Sequence, residues 1–518
     1  MFAMLERNGT RLAQSLGGAW SVALFYFVYG LVHGGISRLA GPALALDDVK
    51  INVVAQSLEP GYHPDNPPLF EWLIFLVQSI TGPTLVSFLV VKYALLVGVG
   101  VFTFLGMRLV VRDERWAGLG AISLLLLFQI GWNFHQAFTH STALICALAF
   151  FWYALFRVIR QPTILTSIVL GLAAGLGLLS KYSFAFAIVC AVIGLGVTYR
   201  HRVRWLSAFK LSLVAVAVSS ILVLPHAIWR IGETSAQLQS RFMDADASYW
   251  MKIASGLPET LWALVAFFLP IIPVLFLLFG IRWLMPGSGR PVASVGSELA
   301  TLARNSALAG AVVLFAMVIF LGLDGMQERY AIAFLFPVIF WLIVKVGDGV
   351  GRIGTRKLLM ANGAVLSAIV AVRLAQVLWP GEPFCSDCRQ WIPYEGLGRA
   401  VQEAGWEEAT LVGFEDHTAG NLRRLFPKAR VLSAHIQYYA PPTDDNDRPC
   451  IFVWSPQLGP PAPDHVTNAI DPSTSKKIEV PWQRTIRSRQ GDEKRVTEWF
   501  LGSLDKNPSI ARSVCRPN

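Results

Sequence analysis

The chain contains 518 residues, of which 54% are hydrophobic and only 15% are charged, and its mean hydropathy is +0.50. This composition excludes an ordinary soluble globular protein, because so much apolar surface exceeds what a soluble core buries. The net charge of +10 does not indicate nucleic-acid binding, since much of it lies at the predicted cytoplasmic ends of apolar segments. The remaining positive charge favours anionic lipid head groups or acidic lipopolysaccharide.

Apolar windows long enough to cross a bilayer recur along residues 1–380. They predict about eleven spans, within a range of roughly nine to thirteen. They lie near residues 19–33, 84–107, 117–134, 141–156, 164–180, 183–199, 206–228, 258–281, 307–323, 331–346 and 358–379. Buried helices of a large soluble protein are the alternative, but so many consecutive windows favour a membrane. The sequence therefore predicts a mainly α, polytopic transmembrane helical bundle.

Lysine and arginine are concentrated after the even-numbered windows, for example at Arg108 and Arg115, and are sparser after the odd-numbered ones. Because positive charge near span ends is retained on the cytoplasmic side, this distribution predicts a cytoplasmic N-terminus and periplasmic residues 381–518. Arg7 and Arg11 precede the first window, so a cleaved signal peptide is an alternative. A signal anchor is favoured, because no small-residue cleavage site stands out. The predicted location is the bacterial inner membrane.

The first outer loop, residues 34–83, carries an acidic pair, Asp47 and Asp48, after a helix-breaking Gly-Pro at 41–42. Residues 49–55 predict a short amphipathic helix at the membrane interface. The dipole at the start of a helix favours an ionised carboxylate, which suits a general base. A solvated turn or a helix cap is the alternative for such a pair.

The same loop continues through a proline-stiffened segment, residues 64–69, into an apolar stretch that is too short to span. Such a stretch lies on the membrane or folds back into it. This feature favours a membrane-associated site over a simple solvated turn at the acidic pair.

Four short motifs follow one another in a fixed order along the chain. They are the acidic pair, Pro67-Pro68-Leu69 beside an aromatic residue, a glycine-rich window ending in Leu179-Ser180-Lys181, and Arg329-Tyr330 at the start of a late window. Over residues 15–380 this series resembles the C-type membrane glycosyltransferases (GT-C fold), in particular the branch of protein O-mannosyltransferases and lipid A aminoarabinose transferases. The specificity lies in the series, because each motif alone is short.

The resemblance implies an inverting transfer of a sugar from a polyprenyl phosphate. It implies that the first acidic residue of the loop, Asp47, is the catalytic base, with Asp48 standing where a Glu is more usual. It implies no metal or other cofactor for the transfer. The roles of the two carboxylates could be reversed, since adjacent residues in a loop exchange positions with a small backbone turn.

Displacement of a polyprenyl phosphate also needs cations that stabilise the phosphate as it leaves. Lys181 at the outer end of its window and Arg329 with Tyr330 are the predicted phosphate ligands. A snorkelling interfacial lysine is the alternative for Lys181, and an ion pair with Glu328 or Asp324 is the alternative for Arg329. Two weaker candidates for phosphate binding are Lys92 and Arg230. An interfacial anchor is the alternative for each of them.

Three further outer-face residues are predicted to contact substrate: His63, Asn66 and His140. His140 stands where the resembled family often has an Asp, and Asn66 stands where it often has a Lys or Gln. These departures prevent the donor sugar and the acceptor contacts from being carried over. A metal site is not predicted, because no helix carries a His pair at four-residue spacing and no Cys/His cluster has zinc-ligand spacing.

Residues 381–518 are more polar and alternate between helical and strand patterns, which predicts a small periplasmic α/β domain. No glycine-rich phosphate loop lies between its predicted strands, and Asp416 is predicted to cap a helix. Cysteines of this domain predict one or two disulfides whose pairing the sequence leaves open. They are Cys385, Cys388, Cys450 and Cys515. Half of a zinc site or a redox motif is the alternative for the first two.

Two functional classes fit these observations. The first is a membrane glycosyltransferase that adds a sugar from a polyprenyl phosphate to a hydroxyl of an envelope acceptor: lipopolysaccharide core, lipid A, another glycolipid or a polysaccharide. The second is a polytopic transporter or lipid flippase. Transporters concentrate functional polar residues near the membrane midplane, often in repeated halves. The candidates here gather at one predicted surface, and no repeat is evident, so the sequence favours the enzyme.

Overall fold

The structure is a computed structural model that describes residues 17–136, 138–200, 205–232, 248–285, 297–323, 327–385, 387–442, 448–488 and 491–515. The chain forms two compact units. The unit that we call the helical unit comprises Met1–Leu31, Pro64–Leu69 and Tyr93–Val370. The unit that we call the mixed unit comprises Val32–His63, Phe70–Lys92 and Ala371–Asn518.

Helices dominate the chain up to residue 378. In order they are α1 (Ala19–Ala40), α2 (Asp47–Val54), α3 (Leu69–Thr81), α4 (Leu85–Val110), α5 (Glu114–Ser123), α6 (Phe128–Gly131), α7 (His140–Arg160), α8 (Ile164–Ser180), α9 (Phe184–Tyr199), α10 (Trp205–Gly232), α11 (Tyr249–Phe267), α12 (Ile271–Phe279), α13 (Ser297–Leu321), α14 (Ile332–Leu335) and α15 (Val338–Leu378). Gly351 interrupts α15 with a φ of 59°.

Six helices in the described part of the chain are long and apolar enough to cross a membrane. They are α1, α4, α7, α10 from Phe209, α13 from Glu298 and α15 from Gly354. A seventh crossing is possible through the pair Glu328–Leu335 and Val338–Gly351, which is bent by 74°. The chain is therefore a mainly helical, multi-pass membrane protein.

The hydropathy windows outnumber these continuous helices because several windows contain a break. The window 117–134 holds the end of α5 and the separate short helix α6. Pro270 lies between α11 and α12, and Pro337 lies between α14 and α15, where the missing backbone N–H of proline favours a break. Hydropathy averages over a break of a few residues, so it does not detect one.

The helical unit is packed around one apolar core with fully buried large side chains such as Trp116, Trp152 and Phe156. Close helix approach depends on glycine at one point: a Cβ on Gly171 of α8 would lie 2.5 Å from the carbonyl oxygen of Ala215 on α10. Small residues at helix contacts are typical of membrane proteins. The opposite face of α10 exposes large apolar side chains, as expected for contact with lipid.

The mixed unit contains the later helices and all the strands of the described chain. The elements are α16 (Tyr394–Glu403), β1 (Thr410–Gly413), α17 (Asp416–Leu425), β2 (Arg430–Ser433), β3 (Cys450–Trp454), α18 (Asp464–Thr467), β4 (Lys476–Pro481), β5 (Ile486–Ser488), β6 (Gly491–Glu493), β7 (Val496–Ser503) and α19 (Pro508–Cys515). The main sheet has the order β2-β1-β3-β7-β4. Strand β1 is parallel to its neighbours β2 and β3. Strand β7 is antiparallel to its neighbours β3 and β4.

One apolar core joins this sheet to the first loop. Buried loop side chains that belong to it are Ala43, Val53, Val54 and Tyr62. The same core contains strand residues such as Leu411 and Trp499. The mixed unit thus combines most of the first loop with the C-terminal residues. In the structure Cys385 is bonded to Cys388 and Cys450 to Cys515.

Candidate active site

The acidic pair opens α2, and its two carboxylates have different surroundings. Leu46 precedes the helix with a φ of 57°, an uncommon conformation for a residue with a side chain. Asp47 is exposed, whereas Asp48 is buried. Adjacent positions on a helix point in different directions, so one carboxylate of the pair faces outward and the other faces the interior of the mixed unit.

Asp48 is paired with Lys92 of α4. The Lys92 Nζ donates to Asp48 Oδ2 at 2.9 Å and lies 2.8 Å from Oδ1. The Asp48 side chain is only 11% exposed, and the Lys92 side chain is only 6% exposed. Burial raises the pKa of the Asp48 carboxyl, and the Lys92 ammonium opposes that rise. Lys92, predicted as a phosphate ligand, is therefore the close partner of a carboxylate.

The C-terminal part of the mixed unit holds α2 through α17. A Cβ on Gly420 would lie 2.5 Å from the carbonyl oxygen of Val49, so only glycine lets the two helices approach this closely. Asn52 donates to the Gly420 carbonyl at 2.8 Å. Asn421 accepts from the Leu44 N–H at 2.9 Å and donates to the Leu44 carbonyl at 3.1 Å. The start of α2 is thus fixed by residues from the far end of the chain.

Polar contacts continue along the surface of α17. Asp416 does not cap this helix as predicted, because it is the first helical residue and Glu415 occupies the cap position. Its carboxylate accepts from the Ser433 hydroxyl at 2.6 Å and lies 3.5 Å from the Lys50 ammonium. The Asp416 side chain therefore joins α2 to the sheet.

Next to this contact, Arg389 and the His417 ring nitrogen Nε2 are 2.6 Å apart. Burial and, to a smaller extent, the Arg389 guanidinium lower the pKa of His417 to about 4. A neutral imidazole that accepts through Nε2 carries its proton on Nδ1. His417 is therefore a neutral ring at physiological pH.

In the helical unit, Lys181 follows the last residue of α8 and meets two other elements. Its Nζ donates to the Ser141 hydroxyl of α7 at 3.0 Å. It also lies 5.7 Å from the centre of the Tyr330 ring, within the range of a cation–π contact. The predicted pair of Lys181 and Tyr330 is thus brought together.

Arg329 is exposed beside the same ring. Its guanidinium carbon lies 5.2 Å from the ring centre of Tyr330, and a guanidinium nitrogen is 3.3 Å from the Tyr330 hydroxyl. Glu328, one predicted alternative partner, is instead 3.2 Å from the Gln129 amide. Asp324, the other, lies outside the described residues. Within the described chain Arg329 has no ion pair.

A second polar group follows directly in sequence. The Tyr182 hydroxyl is 3.0 Å from Nε2 of His226, and the His226 ring stacks on Trp229 with ring centres 5.5 Å apart. Arg230 hydrogen-bonds to the Tyr182 hydroxyl, and the Asp65 carboxylate interacts electrostatically with the same hydroxyl. The predicted residue Arg230 therefore belongs to a cluster with a loop residue of the 64–69 segment.

The predicted substrate residues have separate positions. His140 is buried at the start of α7, with Nδ1 3.2 Å from the Thr139 hydroxyl. His63 lies against the Tyr438 ring in the mixed unit, with ring centres 4.2 Å apart. Asn66 is half-buried in the helical unit. Among the described residues, no group of three or more His, Cys, Asp or Glu side chains is placed to hold a metal ion.

Several residues of these groups were not predicted from the sequence. Ser141 and Tyr182 adjoin the predicted His140 and Lys181, so proximity in sequence was an available signal for both. Gly420 and Asn421 lie more than 360 residues from α2, and no local pattern connects them to it.

Comparisons with known proteins agree with this architecture. Residues 65–229 match the family described as dolichyl-phosphate-mannose-protein mannosyltransferase. Over nearly its full length the chain is similar to the lipopolysaccharide core galacturonosyltransferases RgtB and RgtA of Rhizobium johnstonii. Identity to RgtB is 27%, covering 84% of this chain and 87% of the relative. Identity to RgtA is 28%, covering 87% of this chain and 88% of the relative.

The fold is also that of a solved membrane enzyme. The crystal structure of ArnT from Cupriavidus metallidurans in the apo state aligns with a TM-score of 0.55 at 14% identity, covering 93% of this chain and 98% of that one. The same protein bound to undecaprenyl phosphate aligns with a TM-score of 0.50 at 15% identity, covering 94% and 98%. The chain therefore has the fold of the C-type membrane glycosyltransferases. The described chain has an acidic pair at the start of a short loop helix and cationic side chains next to helix ends.

Proposed function

We propose that this glycosyltransferase transfers a galacturonosyl residue from a polyprenyl phosphate to a hydroxyl of the lipopolysaccharide core, on the periplasmic face of the inner membrane. The observation that carries the proposal is the similarity to two lipopolysaccharide core galacturonosyltransferases along 84% and 87% of the chain. A lipid A galacturonosyltransferase of the same organism is 22% identical and covers only 46%. The core is therefore favoured over lipid A as the acceptor.

In the proposed mechanism Asp47 is the general base. It accepts the proton of the acceptor hydroxyl while that oxygen forms a bond to C1 of the donor sugar. The bond from C1 to the phosphate oxygen breaks, and its electron pair leaves with the polyprenyl phosphate, so the configuration at C1 is inverted. Asp47 suits this role because it is exposed and has no ion pair within the described chain, whereas Asp48 is buried against Lys92.

The leaving phosphate is proposed to be stabilised by Lys181 and Arg329. Both cations adjoin the Tyr330 ring, so one aromatic side chain orients two positive charges. Fixed charges of this kind stabilise a developing anion without reorganisation during the reaction. Arg230, held by Tyr182, is a further proposed contact on the donor side, and ArnT bound to undecaprenyl phosphate supports a lipid phosphate as the leaving group.

We also retain the predicted topology as part of the proposal. The lysine and arginine distribution supports a cytoplasmic N-terminus and a periplasmic C-terminal domain at residues 381–518. About eleven crossings are proposed, because short helices such as α8 and α9 and the broken pairs still span when flanking residues are drawn into the membrane. We also propose that the remaining predicted residues contact substrate on the outer face. They are His63, Asn66 and His140.

The proposal is tested by mass spectrometry of lipopolysaccharide from a deletion strain beside its parent. We expect the core of the deletion strain to lack one hexuronic acid residue. The wild-type gene should restore it, and the Asp47→Asn gene should not. Loss of a neutral hexose would contradict the proposed donor sugar, and a change confined to lipid A would contradict the proposed acceptor.

The orientation has its own test. A reporter enzyme that is active only outside the cytoplasm should work when fused after residue 380 and should fail when fused at residue 290. The opposite pattern would reverse the proposed topology and remove Asp47 from the periplasmic face.

A further inference from the structure

The ion pair of Asp48 and Lys92 is deeply buried in the mixed unit. Both carboxylate oxygens lie within 2.9 Å of the Lys92 Nζ, and neither side chain is more than 11% exposed. Other pairs of this unit include Lys428 with Glu408, which are 84% and 70% exposed. Buried pairs carry a large desolvation cost and do not by themselves improve stability. Stability alone therefore does not account for this pair.

The position of the pair connects it to the proposed base. Asp48 is the second residue of the eight-residue helix α2, and Asp47 is the first. A side chain fixed inward at position 48 sets the rotation of the first helical turn, and with it the direction in which Asp47 points. The backbone before this turn adopts a positive φ at Leu46, so the entry to the helix is not held by ordinary backbone preference.

Charge gives the pair a second effect. Without Lys92, the Asp48 carboxyl would either hold an uncompensated negative charge in a buried position or take up a proton. The ammonium cancels that charge, so Asp47 contributes the net negative charge of the acidic pair.

We propose that Lys92 is a positioning residue for catalysis rather than a ligand of the donor phosphate, and that it acts by holding Asp48 so that Asp47 faces the acceptor. This inference rests on the proposed function of Asp47 as the base. A phosphate ligand at this position would have to leave the buried Asp48 carboxylate without its counter-ion, which is a costly exchange.

The test is a mutant cycle on the purified full-length protein: Lys92→Gln, Asp48→Asn and the double variant. Transfer is measured with a polyprenyl-phosphate galacturonate donor and core lipopolysaccharide from the deletion strain, beside thermal unfolding. Each single variant should lower kcat by about tenfold or more while the donor KM changes by less than about threefold. The Asn/Gln pair can form a neutral hydrogen bond, so the double variant should recover most of the lost kcat.

The matched control is Lys428→Gln, which removes an exposed lysine from the ion pair with Glu408 in the same unit. It should leave kcat and KM unchanged. A raised donor KM in both Lys92→Gln and the double variant, with Asp48→Asn near normal, would assign Lys92 to phosphate binding and overturn the inference.

Normal kcat per folded molecule in all three variants would show a structural role alone and would also overturn it. Absence of transfer by both the wild-type and control proteins would contradict the proposed function itself, which distinguishes that failure from a failure of the Lys92 assignment.

Discussion

The helical and mixed units hold their candidate residues by different means. In the helical unit, Lys181 contacts Ser141, which is 40 residues away in sequence, and both lie at ends of neighbouring helices. In the mixed unit, the helix that carries Asp47 is held by Gly420 and Asn421, 368 and 377 residues from their partners. The proposed leaving-group cations thus depend on helix packing, whereas the proposed base depends on the C-terminal part of the chain.

The largest expected effect is at Asp47, which tests whether the mixed unit supplies the base. Asp47→Asn keeps the side-chain size but removes proton acceptance, so transfer should fall by roughly 10²–10⁴-fold in a folded protein. Turnover is measured with the purified donor. Asp387→Asn, which changes an exposed carboxylate of the same unit, serves as the control. Near-normal turnover of Asp47→Asn would remove the base from this unit.

The next effect tests the contribution of the helical unit. Lys181→Met and Arg329→Met should each lose about 2–4 kcal/mol of transition-state stabilisation, or roughly 30- to 1000-fold in kcat/KM for the donor. Each variant removes a positive charge from the proposed phosphate site without touching α2. Lys210→Met, at an exposed position of α10, is the control. Unchanged donor kinetics in both variants would place the leaving-group site elsewhere.

A smaller effect tests the long-range support of α2. Gly420→Ala introduces a Cβ that would lie 2.5 Å from the Val49 carbonyl oxygen, so α2 and α17 must separate. We expect a loss of stability of about 1–3 kcal/mol and reduced kcat, with the donor KM retained. Gly363→Ala is the matched helical control, because a Cβ there meets nothing within 4 Å. Equal behaviour of the two variants would contradict the proposed support.

The smallest effect concerns pH and the mixed unit alone. The pKa of His417 is lowered to about 4, below its unfolded value of about 6.5. Between these values the unfolded chain binds more protons, so stability should fall as pH decreases from about 6.5 to 4 and change little from this group below that. His417→Gln should flatten this slope, so that the difference in Tm between about pH 6.5 and pH 4 shrinks by several degrees, at about 2–4 °C per kcal/mol. His465→Gln, at an exposed position, should keep the wild-type slope.

The helical part of the fold could be predicted largely from the sequence because lipid exposure and core packing both select apolar residues. The window at 141–156 lies within the continuous helix α7, and the window at 84–107 begins one residue before the continuous helix α4. The breaks at Pro270 and Pro337 could not be placed by averaged hydropathy, although the prolines themselves were visible. A single proline leaves the mean hydropathy of an apolar window high whether the helix breaks there or continues, as it does through Pro225 of α10.

The candidate site could be predicted only in part, because sequence motifs identify residue types and not their partners. The motifs singled out Lys181 and Tyr330, which are in contact. They did not predict that Lys92 pairs with Asp48, because a lysine in an apolar helix also fits an interfacial anchor. The support of α2 by Gly420 and Asn421 depends on the tertiary structure of the mixed unit, for which local patterns carry no signal.

The first loop also has a consequence for solubility. Strand β2 lies at the edge of the main sheet, and edge strands offer unpaired backbone groups to other chains. Gln56 occupies two of these groups, donating to the Val431 carbonyl at 2.7 Å and accepting from the Val431 N–H at 3.0 Å. The loop therefore shields the β2 edge of the sheet against edge-to-edge aggregation, and a C-terminal fragment that begins at residue 381 would lack this protection.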